Sequence, residues 1–325
     1  MNNKGVINIG YKTDQYKRVE WLIKNRDVFY GDPGYGVFRK NPYSFVLKTR
    51  LNNLYAPIRF KALEYFANNN ISWWGGRWPT NHTLSSQIAC LNHLFPFRHD
   101  KEAVLAIAKC IDKNVSDVLI LISDEEHQGY IQFEAVSMID RLNEMKGQQP
   151  TRGSHCTSID ALIVGKLTNG DNLLIVIEWK YTESYGNENK AKGDKGEERK
   201  KRYTDLINKS NQLIADSRDI YYIEPFYQLM RQTLWAEEMV RNKESEIIKA
   251  DDFHHVHVIP PENIDLLKKK YLFSKRDMEY TWRGCIYDNN KYTIISPSNF
   301  ISQIDKEKYN EAFQYLGTRY WNNID

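Results

Sequence analysis

The sequence predicts an α/β (α+β) fold, and three features of the chain point to it. Amphipathic helical stretches dominate up to residue 112. From about residue 117 the apolar pattern shortens to strand-length runs, and two of these are apolar on both faces. Two further helical stretches then lead to a late strand, His254–Ile259, stopped by Pro260-Pro261.

In chain order, Tyr16–Asn25 and Ala56–Asn68 carry helical spacing, separated by the turn-rich Gly31-Asp32-Pro33-Gly34-Tyr35-Gly36. Trp73-Trp74-Gly75-Gly76-Arg77-Trp78-Pro79 reads as an irregular connector. Thr83 or Ser85 can cap a helix through Ser86–Leu94, and Lys101–Asp112 repeats the amphipathic pattern. Strands are predicted at Asp117–Ile122, Tyr130–Val136, Ser158–Leu167 and Leu173–Trp179. Residues 186–202 are polar and dense in both charge signs, and are expected to form an exposed loop. Helices follow at Arg202–Asp216 and Glu224–Arg241. After the late strand come a helix near Pro261–Lys270, a strand or two near Cys285–Ile295, and a last helix near Lys306–Leu316. The expected organisation is a mostly helical extension over 1–80, a core over 81–262 and an α+β decoration over 263–325.

Composition narrows the class without naming a function. With 325 residues, 41% hydrophobic and 27% charged, the chain suits a folded globular protein with a real core. The formal charge of +3 leaves a basic face possible but does not demand a nucleic-acid partner. The 21 tyrosines can stack on bases, although most such rings belong to cores. No apolar run reaches membrane-spanning length, the start Met1-Asn2-Asn3-Lys4 is polar, and the four cysteines form no C-x-x-C pair. A cytoplasmic protein without a membrane partner is expected.

The chemistry sits on one strand pair. The chain contains four Glu-x-Lys triplets, at Glu144/Lys146, Glu178/Lys180, Glu188/Lys190 and Glu198/Lys200. Three lie in polar segments and read as solvated charges. Only Glu178/Lys180 ends an apolar strand, Leu173-Leu174-Ile175-Val176-Ile177-Glu178-Trp179-Lys180, where two charges are costly unless paired with each other, a metal or solvent. The strand period puts Glu178 and Lys180 on one face and Trp179 on the other. The preceding strand carries an isolated acid, Asp160, and the turn between them decides where it stands. A two-residue Asn169-Gly170 loop would place Asp160 opposite Trp179, on the wrong face. A three-residue Thr168-Asn169-Gly170 loop, with Gly170 left-handed in a bulge, pairs Leu167 with Asp171 and puts Asp160 opposite Glu178. The second register is predicted.

Asp160, seventeen intervening residues and then Glu178-Trp179-Lys180 at a strand end resemble the PD-(D/E)xK nuclease superfamily. Ile177-Glu178-Trp179-Lys180-Tyr181-Thr182-Glu183-Ser184-Tyr185 is similar to a bacterial restriction-endonuclease branch with a Glu-Trp-Lys-Tyr-Thr-Glu signature, and the resemblance covers roughly residues 85–260. Ile159 stands where the superfamily's name has proline. The resemblance implies a restriction-endonuclease-like core, a central mixed sheet flanked by helices, and one or two Mg²⁺ ions at the sheet's end, with Mn²⁺ able to substitute. It implies Mg²⁺-dependent hydrolysis of DNA. Asp160, Glu178 and the carbonyl of Trp179 would be metal ligands, and Lys180 would position or activate water or neutralise developing charge.

A third acid stays open between Glu134, which could equally be a salt-bridged sheet-edge residue, and Glu102 on the earlier helix. Gln228 and Arg231 share a helix face and match the place of phosphate-facing residues in related nucleases, with surface polarity as the plain alternative. The lysines and arginines from Lys190 to Arg202 could position phosphates, but interspersed acids favour simple solvation. His255 and His257 share a strand face without a third ligand at zinc spacing. Double-strand cutting by one site suggests a homodimer. The competing functions are a non-catalytic nucleic-acid-binding protein on the same fold, and a protein in which the trio is an internal ion-pair network.

Overall fold

The computed structural model describes residues 10–74, 76–121, 129–145 and 156–321. The chain starts with α1 (Tyr11–Asn25), the hairpin β1 (Gly36–Phe38) and β2 (Asn41–Tyr43), and the helices α2 (Arg59–Asn68), α3 (Ser86–Leu94) and α4 (Lys101–Ile111). Strands β3 (Val115–Val118), β4 (Gln132–Ala135), β5 (Ile159–Leu167) and β6 (Asn172–Trp179) follow. Next come α5 (Asp194–Lys209), α6 (Phe226–Arg241), β7 (Asp252–Val258), α7 (Ile264–Leu267) and α8 (Met278–Arg283). The described chain closes with β8 (Tyr292–Ile295), α9 (Pro297–Phe300) and α10 (Asn310–Tyr320).

Six strands form one mixed sheet in the order β3-β5-β6-β7-β8, with β4 also pairing with β5. β5 is antiparallel to β3, β4 and β6, whereas β6, β7 and β8 run parallel. Both faces are covered, which is why β5 and β6 read as nearly continuous apolar runs. Leu173, Ile175, Ile177 and Trp179 join a core shared with α1–α4 and α10. Leu174 and Val176 pack into a second core against α5, α6 and α8. Helices therefore flank the sheet on either side, the fold class expected. Among the described residues no helix is long and apolar enough to cross a membrane.

The β5–β6 turn adopts the three-residue register. The Leu167 amide donates to Asp171 O at 2.8 Å and the Gly170 amide to Leu167 O at 3.0 Å. Gly170 has φ +96°, and the Asn169 side chain accepts from the Asp171 amide at 3.0 Å. The ladder then runs from Lys166↔Asn172 to Ala161↔Ile177.

Several elements differ from their sequence expectations. The segment expected as an exposed loop over 186–202 is helical from Asp194, as α5, and the helix expected to run to Asp216 ends at Lys209. Glu, Lys and Arg are good helix formers. Glu197 and Lys200 pair at 2.8 Å along the surface, while Tyr203 and Ile207 supply the buried stripe. The Pro261–Lys270 helix shrinks to α7, capped by the Asn263 side chain and ended before the Lys268-Lys269-Lys270 run. The strand expected at Asp117–Ile122 sits earlier, because Val115 and Val118 are the residues that bury against β5; Ile122 lies outside the described residues, as does Lys146. The first helix begins at Tyr11, and the last runs Asn310–Tyr320, burying Tyr315 and Tyr320. Of the two candidate caps of α3, Ser85 accepts from the Ile88 amide at 3.4 Å, while the Thr83 hydroxyl donates to Phe45 O at 2.6 Å.

A Cβ at position 170 would meet nothing within 4 Å, so Gly170→Ala tests backbone strain alone. The substitution is expected to cost about 1–2 kcal/mol in chemical denaturation. An unchanged midpoint would show that the bulged turn does not need its glycine.

Candidate active site

The hairpin register brings the acids together. One step beyond Ala161↔Ile177, Asp160 stands opposite Glu178. There the Trp179 amide donates to Asp160 Oδ2 at 2.8 Å, a side-chain carboxylate closing the ladder. Glu134, between the pairs Phe133↔Ala161 and Ala135↔Ile159, lies on the other side of Asp160. Its φ of +49° marks a distorted strand, a conformation uncommon for a residue with a side chain. Its carboxylate accepts from Gln87 Nε2 at 2.7 Å and from the Ser158 hydroxyl at 3.1 Å. Glu134, Asp160 and Glu178 thus occupy one cross-strand row over β4, β5 and β6, and His257 of β7 continues it.

Glu178 and Lys180 are buried, at 6% and 4% exposure, and the ammonium contacts Glu178 Oε1 directly. Helix α6 completes both partners. Gln228 Oε1 accepts from Lys180 Nζ at 2.5 Å, and Gln232 Nε2 donates to Glu178 Oε2. The Tyr185 ring lies 5.7 Å from the ammonium, and its hydroxyl reaches Gln228 Oε1 at 3.4 Å. Burial pushes the Lys180 pKa down, but the attraction of Glu178, with Tyr185, Glu183 and Asp160 behind it, outweighs this and holds the group well above the usual lysine value. Asp160 moves in the opposite sense for a stable anion. Burial first, then repulsion from Glu178 and Glu134, raise its pKa well above the carboxylate range, against Lys180 and the Trp179 amide. The row holds more negative charge than one lysine neutralises.

The trio lines a cleft of about 650 Å³ together with Glu134, Gln228 and Arg231. Arg231 Nε donates to Glu144 Oε1 at 2.8 Å, so that guanidinium is anchored beneath the cleft wall. Two expected residues are not brought in. Arg202 lies on α5 with its guanidinium 5.7 Å from the Tyr203 ring, and Glu102 is exposed in the first turn of α4; neither lines the cleft. Residues 190–202 likewise contribute nothing to its lining.

Gln232, Tyr185 and Gln87 were not anticipated. Gln232 is one turn beyond Gln228 and so shares its face, a signal the sequence does carry. Gln87 gave none, and Tyr185, though it ends the run that resembles the nuclease branch, was assigned no role, because the contacts of both depend on where α3 and the segment after β6 pack. His255 and His257 are fully buried and neutral. Burial lowers His255 to about 3 and holds His257 well below the ordinary imidazole value, helped by nearby positive charge. His255 Nε2 meets Gln232 Oε1 at 3.0 Å, and His257 Nδ1 meets the Tyr292 hydroxyl at 3.1 Å. They form the backing of the row.

Asp160 and Glu178 are hard oxygen donors at a strand end beside a solvent-reaching cleft, the donor type that suits a divalent cation such as Mg²⁺. Among the described residues no three His, Cys, Asp or Glu side chains converge on one ion position. Glu134 is turned toward Gln87 and Ser158. Mg²⁺ is commonly held by one or two carboxylates with water and phosphate, so the pair is a sufficient protein contribution.

A family model described as "Restriction Endonuclease associating with ARP" matches residues 17–321. No curated protein and no solved structure matches the chain.

A carboxyl whose folded pKa is raised binds its proton more tightly folded than unfolded. Asp160 therefore takes stability away as pH rises from the ordinary carboxylate value through its raised one. In metal-free buffer Asp160→Asn is expected to melt roughly 2–4 °C above wild type at pH 8. The gap should close toward pH 4, where both side chains are neutral. A variant melting below wild type at pH 8 would contradict the crowded-acid reading.

Proposed function

The chain belongs to the family of restriction endonucleases associating with ARP, and we propose that it is a Mg²⁺-dependent DNA endonuclease acting at the Asp160–Glu178–Lys180 cleft. The observation that carries the reading is the register. Among the described residues, Glu178/Lys180 is the only Glu-x-Lys that ends a buried strand, and the three-residue turn sets Asp160 directly opposite it. A purely structural ion pair needs no third carboxylate pressed against it at an electrostatic cost, nor an open cleft above it.

Asp160, Glu178 and the carbonyl of Trp179 would hold Mg²⁺, with Glu134 as the further ligand once turned from Gln87. When bound, the cation supplies charge neutralisation at the scissile phosphate and a more acidic water. The remaining chemistry is the chain's own. Lys180 is held charged by Glu178 and aimed by Gln228, so it would orient the attacking water and neutralise charge developing at phosphorus, in preference to abstracting a proton. Gln232, itself held by His255, fixes one Glu178 oxygen. Gln228 and Arg231 at the cleft wall are placed to meet the DNA backbone on the α6 side. Arg202 would at most touch phosphate away from the cleft. A duplex cut at both strands by one such centre calls for a second copy or a second event, and a homodimer would provide it.

Supercoiled plasmid incubated with Mg²⁺ or Mn²⁺ is expected to be cut by the wild type. Lys180→Ala and Asp160→Ala should slow cutting at least about a hundredfold. Equal cutting by wild type and variants would sink the assignment. A wild type that cuts no DNA with either metal would favour a binding protein on the same fold.

A further inference from the structure

Beside the acid cleft lies a second pocket, of about 420 Å³, between α1, the β1–β2 hairpin and the connector before α3. It shares Trp74, Leu84 and Glu183 with the cleft, so the two cavities adjoin. Its walls are aromatic. Tyr16 and Phe45 stack at 4.0 Å, and Phe38 and Trp74 lie at 5.5 Å with their planes 30° apart. The His82 ring stands edge-on to both groups, 4.8 Å from Phe38 and 5.4 Å from Phe45. Trp74 is 45% exposed, so a large apolar face borders the opening.

We infer that this pocket takes an unpaired or extruded nucleobase from the strand held at Asp160, Glu178 and Lys180; the inference rests on the nuclease reading above. Flat aromatic walls offer stacking surface that any base can use. The size falls within the roughly 300–1,000 Å³ of small-ligand sites. Thr182 and Glu183 complete the lining, and one of the rings is itself polar, the His82 imidazole. The Leu84 amide donates to His82 Nδ1 at 3.3 Å, which leaves the ring proton on Nε2 as a donor. Burial first, then Lys12 and Arg39, lower the His82 pKa to about 4, so the ring stays neutral and can read a base edge without adding charge.

Two exposed cations, Lys12 and Arg39, line the same pocket and match a flanking phosphate. The placement of Arg39 is informative. Arg39 and Lys40 form the two-residue turn of the β1–β2 hairpin with φ of 48° and 72°. Such a turn favours Asn-Gly, because left-handed backbone is unfavourable for long side chains. One of the pocket's two cations, Arg39, therefore sits where turn chemistry argues against a long side chain, at the edge of an aromatic pocket that adjoins the cleft of acids. An apolar partner would explain the rings but not the cations, and an inorganic anion would explain the cations but not the rings. A nucleotide uses both.

The test compares two labelled duplexes by fluorescence polarisation in EDTA, one fully paired and one with a single unpaired base. The wild type is expected to bind the second about tenfold or more tightly, the order of one stacked base. Trp74→Ala and Phe38→Ala should abolish that preference, and Phe38→Ala, at a residue that does not line the cleft, should leave affinity for the paired duplex within about twofold. Trp74 is exposed, so its loss leaves the core intact even if Phe38→Ala unfolds. The double variant Lys12→Ala/Arg39→Ala should weaken both duplexes alike and reduce the salt slope by about 2. Equal binding of the two duplexes by the wild type, no binding of either, or a preference that survives Trp74→Ala would overturn the proposal. The two readings fail separately. A lost nuclease reading appears as uncut plasmid with the preference intact, and a lost pocket as normal cutting with no preference.

Discussion

The candidate site hangs on the pairing of two strands. β5 and β6 are joined by a turn in which Gly170 takes a left-handed backbone and Leu167 pairs with Asp171. Side chains alternate with a period of two, so one residue of slip would carry Asp160 from the face of Glu178 to that of Trp179. The turn therefore sets, from ten residues away, whether two carboxylates can share a cation. β4 adds Glu134 through the same β5 backbone, and β7 adds His257 through β6. Each member of the row is positioned by a ladder that starts from this hairpin.

A row of acids at the end of a buried sheet is a strained arrangement, and the surrounding residues limit the damage. Lys180 neutralises Glu178, Gln232 fixes the other Glu178 oxygen, and the Trp179 amide takes one oxygen of Asp160. Behind them stand two neutral histidines, which add no charge; His255 holds Gln232 and His257 meets the Tyr292 hydroxyl. What is left is a carboxyl, Asp160, whose charge is made costly first by burial and then by Glu178 and Glu134, so that its pKa is raised. A protein selected for stability alone would have removed it, and uncompensated charge of this kind is where binding sites concentrate.

The central hairpin was legible from sequence because its determinants are local. Thr168-Asn169-Gly170 sets the turn, and the uninterrupted apolar run of β6 makes its terminal Glu and Lys conspicuous. From these the register and the trio followed, while the mixed sheet was what the resemblance to the nuclease superfamily implied. The first half of α5, up to Lys201, was expected as a loop because its charges of both signs leave only Gly196 buried, whereas the half with the buried Tyr203 and Ile207 falls in the helix expected from Arg202. The supporting roles of Tyr185 and Gln87 were invisible for a different reason. A polar residue on a connecting segment or in a helix's first turn declares no partner until the tertiary packing is known. Gln232 was within reach, one helical turn from Gln228. Glu134 was placed in the right strand, but its turn toward Gln87 and Ser158 depends on a backbone distortion that no spacing encodes.

The central claim is that Asp160 and Glu178, set opposite each other by the hairpin, bind a divalent cation. Mn²⁺ titration followed by electron paramagnetic resonance measures this without DNA and without turnover. One or two bound ions are expected in the wild type, none with comparable affinity in Asp160→Asn or Glu178→Gln, and unchanged binding in a control such as Glu102→Gln, away from the cleft. Binding that persists in both carboxylate variants, or that never occurs in the wild type, would contradict the account.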